Sequence, residues 1–346
     1  MSIHTSTKIN WISVLQGMAI VLVVMNHVRL YDASIGDDYA FVHQIRDVFQ
    51  PYFMATFFFI SGMLLYYSRM SGGWRTVALY RDKAARLVAP LLFCTVLGCA
   101  SQAVFNGVVK HPKEIGVDTL LYALLDYDTT PWPHRWYLVS LVWMMVLYPC
   151  YLYISDRGVK AEVIAVAAVI AVYLVDLTDC VDTNLCYLFT LNKYLPFFVL
   201  GIITYKYGLY RYLRSSWAAC SCWTLYCAIY MLMPHVDGET PHVEPWWLLM
   251  SVTGVMAITS TSMIISERMP QALSSIRNYV FPIYLFGIAF QAFVELILWR
   301  RMGCPDGWVY AFYVLNILVG LYLPVLMSKV IERIPYRWLR RCFGLS

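Results

Sequence analysis

His27 lies inside an apolar run, Trp11 to Leu30, where an ionisable side chain is expensive. At the centre of a lipid-spanning helix a charged group costs on the order of 3 kcal/mol, so such a residue is a functional candidate by default. With an ordinary pKa of about 6.5, a histidine suits a general base or a proton relay. The structural alternative is a histidine hydrogen-bonded to a neighbouring helix or held at headgroup level. Gln16 precedes His27 by eleven residues. On a helix that spacing is three turns plus about 20°, so the two side chains share a face about 16 Å apart. Ser13 extends the polar stripe, and Gly17 permits close approach of another helix or a ligand. The pattern fits a helix that lines a conduit better than one that faces lipid.

The elements that must position His27 follow from composition. Of 346 residues, 60% are hydrophobic and 14% charged, and the mean hydropathy is +0.59. These values describe a polytopic membrane protein rather than a soluble one. Apolar runs long enough to span, roughly 17 to 25 residues each, occur near 9-30, 50-67, 87-107, 136-154, 160-178, 187-205, 216-233, 244-265, 279-299 and 308-329. The expected fold is all-α, with about ten transmembrane helices in one integral-membrane domain over 1-346. The N-terminus lacks a basic stub, short apolar core and small-residue cleavage site, so the first run reads as a retained helix. With the N-terminus cytoplasmic, the inside segments hold 18 of the 26 basic residues and the outside segments most of the acids. The positive-inside rule then places both termini in the cytoplasm, in a cell inner or plasma membrane.

The formal charge of +5 reflects this topology. The basic residues carry no aromatic-interleaved patch of the kind that binds strands, which argues against nucleic acid. Ten cysteines form no CxxC pair and lie mostly in the spans, where thiols behave as small apolar groups. No metal site is expected. Long connections are read at 31-49 and 108-135 outside and at 68-86 inside, and loops of that length in a compact protein are more often functional than idle. The outer one holds Trp132, His134, Trp136 and Tyr137; the inner one Arg81, Lys83 and Arg86. Each group has a plainer reading, as an interfacial aromatic belt and as topology-setting charge. Ser61-Gly62 reads as helix packing rather than a nucleophile.

Several stretches together resemble the membrane-bound acyltransferase family 3. Trp11 to His27 is similar to that family's first helix, which usually reads acid, two residues, basic residue, glycine, then apolar residues to a histidine. Phe57-Phe58-Phe59-Ile60-Ser61-Gly62 resembles its second-helix signature, and Arg81 to Pro90 its basic turn into the third helix. His134-Arg135-Trp136-Tyr137-Leu138 and Tyr194-Leu195-Pro196-Phe197-Phe198-Val199-Leu200-Gly201 resemble further blocks in the same order. Two departures stand out. Ser13 and Gln16 occupy the places of the acid and the basic residue, and Gly287 ends a segment, Tyr279 to Gly287, that often finishes in histidine. A neutral pair in place of an ion pair avoids two desolvation penalties; altered or lost activity is the other reading.

The resemblance implies an O-acyltransferase, most simply an O-acetyltransferase. An acyl-coenzyme A, acetyl-coenzyme A in the first instance, would be co-substrate, with no bound cofactor. Arg81, Lys83 and Arg86 would meet its phosphates, and Ser13 and Gln16 would lie on the acyl path. His27 would be general base or acyl carrier. The acceptor would be a carbohydrate, polysaccharide or lipid-linked, stacked on Trp132, His134, Trp136 and Tyr137. Membrane lipid is the other expected partner. Two alternatives stay open: a transporter or flippase for a glycan or lipid-linked intermediate, and a non-catalytic subunit of a polysaccharide synthase.

Overall fold

The computed structural model describes residues 10–72, 76–105, 116, 122, 125–126, 135–175, 186–232 and 245–345. These residues are overwhelmingly helical, apart from a two-stranded hairpin of β1 (Tyr31–Asp32) and β2 (Asp37–Asp38), paired antiparallel. Seven helical stretches among the described residues are long and apolar enough to cross a membrane. At 17 residues, α1 (Asn10–Asn26) is a shorter apolar helix. Next come α2 (Ala40–Phe49), α3 (Phe53–Gly72), α4 (Thr76–Phe105), α5 (Trp136–Ser155), α6 (Val159–Leu174) and α7 (Leu188–Lys206). The second half adds α8 (Ser216–Leu232), α9 (Pro245–Arg268), α10 (Val280–Phe293), α11 (Val309–Glu332) and the short α12 (Arg337–Cys342).

Two expected loops contain helix. The inner connection placed at 68-86 shrinks, because α3 runs to Gly72 and α4 begins at Thr76. Ala78, Leu79, Arg81, Lys83, Ala84, Ala85 and Arg86 are strong helix formers, and nothing in that stretch breaks a helix. The outer connection at 31-49 holds the hairpin and α2. Phe41, Val42 and Ile45 of α2 pack against a second apolar cluster that includes Val28, Leu30, Trp299 and Tyr313. The helix therefore has a buried stripe to satisfy. The Trp299 indole N–H donates to the carbonyl of Tyr31 at 2.8 Å, tying the hairpin to the end of a π-helical turn, Val294–Trp299.

The main core lies where α1, α3, α7, α9 and α10 meet. Among the described residues, α3 and α7 approach backbone to backbone. A Cβ on Gly62 would overlap the carbonyl oxygen of Phe198, and a Cβ on Gly201 would overlap that of Phe59. Two of the sequence blocks are thus two sides of one contact, closed by a glycine on each. Glycines also let α10 meet α11, where a Cβ on Gly287 would stand 2.8 Å from the Gly320 carbonyl oxygen.

At the end of the bundle where α1 begins, Trp11 stacks on Tyr210 at 5.9 Å, and Arg277 donates to the Asn10 amide oxygen at 2.9 Å. There α5, α6 and α7 join through buried Glu162, which accepts from Lys206 at 2.7 Å, Tyr151 at 2.8 Å, Ser155 at 3.0 Å and Tyr207 at 2.5 Å. Four donors on one carboxylate let a buried charge persist.

Candidate active site

His27 follows the last residue of α1. Its backbone N–H still bonds the carbonyls of Val23 and Val24, both at 3.2 Å, and its ring Nδ1 lies 2.7 Å from the Val23 oxygen. A carbonyl only accepts, so Nδ1 carries the proton and, in the neutral ring, Nε2 carries the lone pair. The first residue of α3, Phe53, meets the ring edge-to-face at 6.5 Å between centroids. One helix end thus fixes the tautomer and the next helix start fixes the tilt.

The imidazole lines a cavity of about 120 Å³. Its other polar walls are Asn26, Gln50 and Lys193; Phe53, Met54, Trp136, Tyr194 and Tyr284 supply the rest. An engineered apolar cavity of about 150 Å³ takes one benzene molecule, so this space fits a reacting centre and not a whole sugar or coenzyme. Trp136 at the start of α5 stacks on Tyr194 of α7 at 5.2 Å, and Tyr194 stacks on Phe58 of α3 at 4.7 Å. Behind them Tyr137 meets Tyr284 edge-to-face at 5.1 Å and shares a hydrogen bond with Ser61 at 3.3 Å. Trp136 and Tyr194 thus pack face to face on one another and form a rigid aromatic wall of the cavity.

The start of α7 is pinned. Cys186 and Tyr187 both adopt left-handed backbone conformations, φ 53° and 58°, which cost non-glycine residues free energy and persist only where surroundings impose them. The Trp143 indole N–H donates to the Cys186 carbonyl at 2.8 Å. The Tyr187 hydroxyl accepts from Arg135 at 3.1 Å, and Arg135, 1% exposed, also donates to Thr95. These ties set the register of Lys193 and Tyr194.

Beyond the C-terminal end of α1 sits the hairpin. Asp38 is buried and takes two guanidinium groups on one oxygen, Arg46 at 2.6 Å and Arg29 at 3.1 Å. The Ser34 hydroxyl and backbone N–H hold the Asp32 carboxyl below its usual range, and the backbone N–H of Asp38 does the same for Asp37. Asp37, Asp38 and His43 place possible ligand atoms within 4.8 Å of one another. Protein partners already occupy them, since Asp38 takes its two arginines and His43 Nε2 lies 3.4 Å from Asp37. The group is held together by contacts within the protein.

Of the residues singled out in the sequence, His27 and Trp136 meet at the cavity, with Tyr137 packed behind it. Ser13 is buried and Gln16 half-buried in α1; neither lines the cavity. Arg86 is exposed on α4, and the side chains of Arg81 and Lys83 on the same helix lie outside the description. Trp132 and His134 lie outside the described residues. Sequence reasoning missed Lys193, Tyr194, Tyr284, Asn26 and Gln50 as a group. Lys193 was findable by the rule that picked His27, being a cation within the run 187-205. Gly287 is where it is for packing, since a histidine there would collide with α11.

The sequence matches the family model described as acyltransferase domain, acyltransferase family 3, over residues 9–328. No curated protein and no solved structure matches it.

Proposed function

Since the chain belongs to acyltransferase family 3 and is a multi-pass membrane acyltransferase, we propose that it moves an acetyl group from cytoplasmic acetyl-coenzyme A to a hydroxyl of a surface or exported polysaccharide. The observation that carries this reading is the hydrogen bond from His27 Nδ1 to the Val23 carbonyl, which puts the ring proton on Nδ1 and the lone pair on Nε2 at a cavity walled by stacked aromatic rings. In the proposed reaction Nε2 takes the proton of the acceptor hydroxyl as its oxygen bonds the acyl carbon. The thioester C–S bond then breaks, and the histidine returns the proton to the leaving sulfur.

The topology that goes with this reading has about ten spans, both termini in the cytoplasm, in the cell inner or plasma membrane. The beginning of α4 would then carry Arg81, Lys83 and Arg86 on the cytoplasmic side to meet the phosphates of the donor. Ser13 and Gln16 would border the acyl path in neutral form, Gln16 offering amide hydrogen bonds and no charge. Trp132, His134, Trp136 and Tyr137 would contact the acceptor carbohydrate, only its reacting hydroxyl entering the cavity.

Purified full-length protein in lipid vesicles tests the reading against a transporter. With labelled acetyl-coenzyme A outside and glycan present, label is expected in glycan ester. Movement of glycan across the vesicle with no ester formed and no thiol released would overturn the enzyme reading.

A further inference from the structure

A base alone is half of an acyl-transfer site. When a hydroxyl attacks an acyl carbonyl, the carbonyl electron pair moves onto oxygen, and donors aimed at that oxygen account for much of the rate. Resting on the acyl-transfer reading above, we infer that Lys193 is a second catalytic residue, whose ammonium holds the negative charge that develops on the acyl oxygen. His27 and Lys193 line the same small cavity, reached from α1 and α7 respectively. Among its lining residues Lys193 supplies the side-chain amine, while Asn26 and Gln50 add neutral polar groups. The ammonium lies 5.5 Å from the centre of the Tyr194 ring and 5.9 Å from that of Trp247, within the range in which aromatic faces attract a cation.

The helix that carries Lys193 is held before the reaction begins. The strained corner at Cys186 and Tyr187 fixes its start, and the Gly62 and Gly201 contact fixes its middle. Prior fixing is what separates a useful charge from one that must reorganise as the reaction proceeds. The balance is complete with the groups named. The hydroxyl proton goes to His27 Nε2, the new C–O bond forms, and the carbonyl pair rests on oxygen beside Lys193. On collapse the pair returns, the C–S bond breaks, and the thiolate takes the proton from His27.

The test uses membrane vesicles holding the full chain, radiolabelled acetyl-coenzyme A, and the exported polysaccharide of the same cells as acceptor. Lys193→Met is expected to lower kcat about 100-fold or more, with the donor KM within about twofold, because the charge acts on the transition state. Lys193→Arg keeps the charge and is expected to recover at least about tenfold of that loss. Thermal denaturation of each variant separates chemistry from folding. A Met variant with unchanged kcat and a raised KM, or equal loss in the Met and Arg variants at equal stability, overturns the role of Lys193 alone. A wild type that transfers no label overturns the acyl-transfer reading and this inference with it.

Discussion

Gly62 on α3 and Gly201 on α7 face each other so closely that a methyl group on either would overlap a backbone carbonyl oxygen of the opposite helix. A flexible side chain can turn away from a new methyl; a helix backbone cannot. Gly62→Ala and Gly201→Ala are each expected to lower stability by the upper end of the roughly 1–3 kcal/mol typical of overpacking. Both should also reduce activity, because the same α7 carries Lys193 and Tyr194 into the cavity. Thermal unfolding in detergent, followed with transfer activity at permissive temperature, checks both outcomes. Wild-type stability in either variant would show that the helices stand further apart.

Gly287 occupies a place where a histidine is common in the family, which makes Gly287→His a natural attempt to add a second polar participant. The geometry predicts failure. A Cβ there meets the Gly320 carbonyl oxygen at 2.8 Å, and Gly320 has little room to yield, since a Cβ on it would stand at the same distance from Val24 and Gln291. The variant is expected to unfold at a lower temperature and to gain no activity, measured on the same preparation.

The cap formed by the hairpin and α2 makes a different kind of prediction. Asp38→Ala strands Arg46, whose side chain is 12% exposed, and removing one partner of a largely buried pair costs about 3 kcal/mol. Gln50 and Phe53, which close α2 onto the cavity, should lose order with it. Limited proteolysis between residues 29 and 53 reports the loosening, and adding Arg46→Met to Asp38→Ala is expected to restore most of the protection. Acid should act in the same direction. Asp32 and Asp37 have lowered folded-state pKa values, so what they contribute is present above the ordinary carboxylate pKa and is lost as pH falls through the folded values.

The buried arginine at the start of α5 gives a fourth outcome. Tyr187→Phe removes the hydroxyl that Arg135 donates to at 3.1 Å, leaving a desolvated guanidinium short of an acceptor at a cost of about 1–3 kcal/mol. Because Tyr187 also shapes the start of α7, the loss should appear in kcat as well as in melting temperature. A change in neither would mean that α7 is held elsewhere.

Much of this was legible in the chain. A long apolar run announces a helix by length alone, and a histidine inside one announces itself by cost. The blocks around Gly62 and Gly201 were visible as motifs, but their mutual contact was not, since nothing in a linear sequence says which two helices meet. The cavity was half legible for the same reason. His27 and Trp136 stand out separately, whereas Lys193 lies just before a family-like block and Tyr284 inside one, and neither block says which side chains turn towards His27. The hairpin and α2 went unread because β1 and β2 have two residues each, too few for alternation to show. The apolar residues of α2, Phe41, Val42, Ile45 and Phe49, do recur at helical spacing and were the available signal.

The central claim is that His27 is the base of an acyl transfer. Mass spectrometry of the exported glycans of cells carrying wild-type protein or His27→Ala tests it most directly, with the protein level in the membrane matched between the two. The account predicts an acetyl ester mass increment in the wild type that disappears with His27→Ala. Full retention of that increment in the variant would contradict it.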